Sequence, residues 1–259
     1  YGINLLPLAT FALRVYKDDP CECFKLKGEQ NRDINEKQLE IRMHKAMSVI
    51  QFKVEGQIIK KNPGFHLEDR NLLDKIDYER GVITLDGKEY EMLDINFPTI
   101  DPKHPYALSK DEEEIMSRLE SAFLNCEKLQ DHMRFLLNKG GLYKVYNGNL
   151  LYHGCVPLKE DGTLKSVRLY GRSYKGKSLY EVLESYVRKG FYALNKREKE
   201  RGKDMMWYIW LSENSPLFGK DKMATFERYF LAEKETHKEK KNPYYNLLEN
   251  EKVINMILK

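Results

Sequence analysis

The sequence predicts an α/β protein, and three observations predict it. The first half carries apolar residues at helical spacing. The second half alternates short strand patterns with amphipathic helices. Gly, Pro and Asn-Gly punctuation separates the elements. Hydrophobic types make up 41% of the 259 residues, enough to bury a core in one large domain or two smaller ones. Charged residues reach 32% but net only +4, too weak a bias for the basic face that nucleic acid demands. No apolar run approaches a membrane span, and no signal peptide is visible.

In chain order, Leu5 to Tyr16 reads as a helix ended by Asp18-Asp19-Pro20. A second helix capped by Asn35 places Leu39, Met43, Ala46, Met47, Ile50 and Val54 on one face, and Asn62-Pro63-Gly64 breaks it. Gly81 to Met92 reads as a hairpin turning on Asp86-Gly87. Asn96 to Pro105 is a proline-rich loop. Ser109 with Asp111, Glu112 and Glu113 starts a helix expected to run to Asn138 and stop at Gly140-Gly141.

A different texture follows. Leu142 to His153, turning on Asn147-Gly148, is the strongest hairpin signal in the chain. Val167 to Tyr170 is a short strand, and Ser178 to about Arg197 an amphipathic helix. Met205 to Leu211 is a continuous apolar run expected to be a buried strand. Lys222 to Leu231 and Val253 to Leu258 are expected to be helical. The three regions expected are 1–30, belonging to a core; 31–138, a mainly helical insertion with one hairpin; and 139–259, the α/β core segment. The chain begins without Met and ends inside an apolar run, which reads as part of a longer protein.

Four constellations could carry chemistry. The first is Tyr152-His153-Gly154-Cys155-Val156-Pro157, where a strand ends on a histidine and a glycine permits a tight turn. Active sites of α/β proteins lie at such strand ends, and a neutral imidazole there ligates Mn, Fe or Zn. On spacing alone a structural histidine is the commoner outcome. The second, Gly171-Arg172-Ser173-Tyr174-Lys175-Gly176-Lys177-Ser178, matches the phosphate-loop pattern of nucleotide-binding proteins. Its bulky residues and the lack of an Asp after Met205–Leu211 count against it. The third is Ser215-Pro216-Leu217-Phe218-Gly219-Lys220 with Arg228 beyond it, which could present cations to a phosphate. The fourth, the mixed charge tracts Lys196–Lys203 and Glu233–Lys241, reads as solvated surface. Cys21, Cys23, Cys126 and Cys155 lack metal-site spacing and read as free thiols, which fits a reducing, cytoplasmic setting.

The block Tyr152–Pro157 with Lys159-Glu160-Asp161-Gly162 closely resembles the class III fructose-1,6-bisphosphatases of bacteria. So do Tyr1–Ala9, Ser215–Lys220 with Met223–Phe230, and Glu235–Tyr245. The resemblance runs over essentially the whole chain. It implies a calcineurin-like layered α/β/β/α sandwich, incomplete in this chain and carrying the helical insertion. It also implies a two-metal centre, typically Mn2+, whose ions activate water and clamp phosphoryl oxygens. The implied reaction removes the 1-phosphate of fructose 1,6-bisphosphate to give fructose 6-phosphate in gluconeogenesis.

On that resemblance His153 is a metal ligand, and Lys220, Arg228 and Arg172 are candidate contacts to the substrate phosphates. Control by small metabolites is also implied, and a homo-oligomer is compatible; neither nucleic acid nor membrane is expected as a partner. The superfamily's Gly-Asp and Gly-His ligand motifs do not occur here. The chain alone is therefore expected to be inactive. Two other readings stay open: a nucleotide-binding protein centred on Lys177, and a non-catalytic regulatory piece built on Asn35–Asn138.

Overall fold

The computed structural model describes residues 1–25 and 33–259. The element order is α1 (Leu6–Val15), α2 (Ile34–Lys61), β1 (Ile76–Asp77), β2 (Val82–Leu85), β3 (Lys88–Glu91), α3 (Lys110–Leu124), α4 (Glu127–Lys139), β4 (Tyr143–Tyr146) and β5 (Asn149–Tyr152). Then follow β6 (Val167–Leu169), β7 (Arg172–Tyr174), α5 (Lys177–Tyr192), α6 (Lys196–Leu211), α7 (Thr225–Phe230) and α8 (Glu251–Leu258). The described residues form two compact units: Tyr1–Asp131 with Thr225–His237, and His132–Ala224 with Lys238–Lys259. The expected boundary at 30/31 lies outside the described residues.

The fold is α/β, as the sequence predicts, but its strands do not gather into one core sheet. Among the described residues they make three separate antiparallel sheets, β1-β2-β3, β4-β5 and β6-β7. Both predicted hairpins form on their predicted turns. Asp86-Gly87 and Asn147-Gly148 each take two positive-φ positions, the twist that matches two antiparallel strands.

In the first unit one face of α2 is buried between Ile41 and Ile59. Ala46, Val49 and Phe52 pack with Phe11, Ile83, Phe97, Phe226 and Phe230. Two lysines of α2 are fully buried and fully paired. Lys45 Nζ lies 2.5 Å from Asp19 and 2.6 Å from Asp94, and Lys53 Nζ lies 2.7 Å from Glu112. Such pairs balance a large desolvation cost only because each charge is met. Glu112 also closes a capping box with Ser109, at the helix start that the sequence predicts.

Four local expectations are corrected. The cap of α2 is Asp33, whose carboxylate accepts the N–H groups of Asn35 and Glu36. The long helix from Ser109 is two helices, broken where the Asn125 side chain bonds back to the Ser121 carbonyl at 2.9 Å. Met205–Leu211 is not a strand but the end of α6. Met205, Tyr208 and Ile209 are buried while Met206 and Trp210 are exposed, a helical alternation hidden by a run that is apolar on every side. This end of α6 follows its crossing with α5 at Gly202, where an added Cβ would stand 2.2 Å from the Gly190 nitrogen.

The fourth correction concerns the phosphate-loop pattern. Arg172–Tyr174 is a strand paired with Val167–Leu169, and Tyr170-Gly171 is the two-residue turn between them. A backbone spent on a hairpin ladder cannot curl its N–H groups around a phosphate. Lys177 instead begins α5, 3.7 Å from Glu181. No helix among the described residues is long and apolar enough to cross a membrane.

Candidate functional site

Three stretches far apart in sequence meet in the second unit. Strand β5 ends at Tyr152, and His153-Gly154 turns the chain into the buried run Cys155–Leu158. Gly154 has φ +88°, and an added Cβ would lie 2.1 Å from the Pro216 carbonyl oxygen. Only glycine allows that approach. The next residue uses it: Cys155 N–H donates to the Pro216 carbonyl at 2.7 Å. The loop after His153 is thereby stapled to the loop that carries Lys220.

The third stretch joins through Asn242, which is buried. Its side-chain oxygen accepts the N–H groups of Leu158 at 3.2 Å and Tyr244 at 3.0 Å, and its own N–H donates to the Gly219 carbonyl at 2.9 Å. Lys220 pairs with Lys241 in a short antiparallel bridge. Beneath these loops Cys155, Val156, Leu158, Tyr180, Tyr244 and Val253 form a core cluster. Tyr180 donates to the Cys155 carbonyl at 2.8 Å, and the hydroxyls of Tyr152 and Tyr244 are 2.6 Å apart.

The loops enclose a cleft of about 330 Å³ lined by lysines and acids. Lys220 Nζ lies 2.7 Å from Glu239, whose other oxygen accepts the Ala224 N–H at 3.0 Å. Lys240 pairs with Glu160 at 2.9 Å, and Lys165 with Glu213 at 3.0 Å. Asp221 accepts the backbone N–H groups of Lys222 and Lys240, both at 2.8 Å. A larger concavity of about 970 Å³ lies elsewhere in this unit. Its Arg188 is spent on Glu184 and on the carbonyls of Leu137 and Gly140, so it holds α4 in place rather than a ligand.

The four predicted site residues fare differently. Lys220 lines the cleft. His153 is exposed at its turn, directly before the stapled Gly154-Cys155. Arg172 is exposed on β7 of the same unit. Arg228 is exposed on α7, in the first unit, and bonds to the His237 carbonyl at 3.4 Å. Sequence reading placed Asn242, Lys159 and Lys241 in family-like blocks but gave none of them a site role. The signal for Asn242 was its place before Pro243, which fixes a turn that an Asn side chain can organise.

All four cysteines are free, two buried and two half-buried. Burial pushes the Cys155 and Cys21 thiols up to about 12, so neither offers a thiolate. Among the described residues no group of three His, Cys, Asp or Glu side chains could hold a metal ion. These residues alone therefore do not fit a metal centre.

A family model described as Firmicute fructose-1,6-bisphosphatase matches residues 1–259. Among curated proteins, the fructose-1,6-bisphosphatase class 3 of Alkaliphilus metalliredigens is 53% identical over 262 residues, covering 99% of this chain and 39% of the relative. That of Clostridium novyi is 52% identical over 262 residues, covering 100% and 39%. That of Clostridioides difficile is 54% identical over 253 residues, covering 97% and 38%. The chain thus spans about two fifths of the length of these relatives. No solved structure matches.

Proposed function

Because the chain belongs to the Firmicute fructose-1,6-bisphosphatase family, we propose that it forms part of an enzyme that hydrolyses the 1-phosphate of fructose 1,6-bisphosphate. The product would be fructose 6-phosphate, and the setting cytoplasmic gluconeogenesis. One observation carries this reading beyond family membership. The stretches around His153, Pro216–Lys220 and Lys240–Asn242 are joined by hydrogen bonds around one lysine-lined cleft. A doubly phosphorylated sugar needs a cationic hold on the phosphate that does not react.

Of the phosphate contacts predicted from sequence, Lys220 has the best support, since it lines the cleft. Glu239 holds its ammonium, so its role is to set the field of the cleft as much as to touch a ligand. Arg172 and Arg228 are supported by charge and exposure alone. His153 is proposed as one ligand of a Mn2+ centre in the whole enzyme, and the calcineurin-like sandwich as the fold of that enzyme. Both rest on resemblance. The described residues do not complete such a centre, so the chain by itself is expected to show no turnover. Small-metabolite control is proposed on the same resemblance, and self-association is compatible with it.

The test is a chimera. This chain replaces the matching segment of the Alkaliphilus metalliredigens relative, and phosphate release from fructose 1,6-bisphosphate is measured. The reading expects turnover within about tenfold of the parent, a change of about 1.4 kcal/mol in barrier. A folded chimera that releases no phosphate would contradict it.

A further inference from the structure

Three of the five lysines lining the cleft are committed. Lys220, Lys240 and Lys165 each hold a carboxylate within about 3 Å. The remaining two, Lys159 and Lys241, form no ion pair among the described residues, although the Asp161 carboxylate lies close enough to Lys159 to feel its charge. Their backbones are nonetheless fixed. Lys159 N–H donates to the Thr163 carbonyl at 2.9 Å, closing a turn in which Asp161 accepts the Thr163 N–H and hydroxyl. Lys241 sits in the bridge with Lys220, directly before buried Asn242, and its ammonium lies 5.8 Å from the Tyr245 ring centroid. Two exposed cations on anchored backbones border one concavity.

The lining narrows the ligand class. Lysines without arginines favour a compact dianion met by point charges, which is how lysine binds phosphate. No aromatic ring lines the cleft among the described residues, so a nucleoside base has no stacking platform. Glu160, Glu213 and Asp221 stand beside the lysines. Carboxylates accept hydrogen bonds from hydroxyls and repel dense polyanions, which suits a polyol bearing a phosphate monoester. The volume, about 330 Å³, is at the small end of ligand sites.

We propose that this cleft is a sugar-phosphate subsite in which Lys159 and Lys241 hold the phosphate monoester. Its anion affinity stands on the geometry alone; its assignment to the bisphosphate substrate rests on the family reading above.

The test is calorimetric titration of the chain with fructose 6-phosphate, with inorganic phosphate and with fructose. Fructose 6-phosphate should bind more tightly than inorganic phosphate, and fructose should give no heat. Lys159→Ala and Lys241→Ala should each weaken fructose 6-phosphate binding about tenfold, and the double variant about a hundredfold. Arg118→Ala, in the other unit, should leave it unchanged. No binding by the wild type, equal affinity for phosphate and fructose 6-phosphate, or unchanged affinity in the double variant would each overturn the proposal. The chimera separates this inference from the function. Turnover with an unchanged KM in the double-lysine chimera removes the subsite and leaves the activity; sugar-phosphate binding by the chain with a dead chimera does the reverse.

Discussion

The carbonyl of Pro216 accepts the N–H of Cys155 at 2.7 Å, and it can do so only because the residue between Cys155 and His153 has no side chain. This contact ties together two stretches separated by about sixty residues of sequence. Much of the site's geometry depends on it.

Gly154→Ala should therefore cost more than an ordinary glycine replacement. The substitution meets both a φ of +88° and a carbonyl oxygen 2.1 Å away. A loss of about 2–4 kcal/mol in urea denaturation is expected. Gly148→Ala meets the same kind of φ, +74°, with nothing within 4 Å, and should cost only about 1 kcal/mol. Equal costs would show that the Pro216 approach is not tight.

Asn242 offers a second way to loosen the same junction. Asn242→Ala strands the N–H groups of Leu158 and Tyr244, both in well-packed surroundings. The expected loss is about 1–3 kcal/mol. Asn242→Asp keeps the acceptor and should recover most of that loss above about pH 5, where the new carboxylate is ionised. Hydrogen exchange of the Leu158 amide reads the effect directly.

The buried thiol at the junction gives a chemical readout. Burial pushes the Cys155 thiol up to about 12, so below that pH it stays neutral and unreactive. In the folded chain iodoacetamide at about pH 8 should leave Cys155 unmodified, while denaturant should expose it. Rapid native labelling would mean that the Pro216 and Tyr245 loops open easily.

In the first unit the Lys45 ammonium sets an acid limit on stability. Burial pushes the Asp19 carboxyl up, but hydrogen bonds from Lys45 and from the Cys21 N–H outweigh it and hold the group below the usual range. A depressed carboxyl stabilises the fold above its unfolded value, about 3.9, and that contribution is lost as pH falls through the folded value. Lys45→Met should cost about 3–5 kcal/mol near neutrality, because it leaves buried Asp19 and half-buried Asp94 without their cation. It should also flatten the acid limb of the stability profile. A variant as stable as wild type at pH 7 would contradict the pairing.

Where local chemistry decides structure, the sequence was legible. Asp86-Gly87 and Asn147-Gly148 dictated hairpins, and Ser109 with Glu112 dictated a helix start. Where several periods fit the same letters, it was not. Met205–Leu211 is apolar on every side, so its pattern did not separate a buried strand from a helix packed at Gly202. The phosphate-loop pattern failed for a related reason: Gly171 suits an anion loop and a two-residue hairpin turn equally, and the Leu169 to Arg172 pairing selected the turn. The blocks at His153, Ser215 and Lys240 could be read as family-like, but their meeting could not. It depends on Asn242 and Gly154, whose hydrogen bonds and close approach span distances that sequence spacing does not encode.

The central claim is that these blocks make one sugar-phosphate site. The most direct measurement is a 1H–15N correlation spectrum of the chain titrated with fructose 1,6-bisphosphate. The account predicts saturable shifts concentrated at Lys159, Glu160, Lys220, Lys241 and Asn242. No saturable shift, or shifts centred on the larger concavity at Gly140–Lys144 and Arg188, would contradict it.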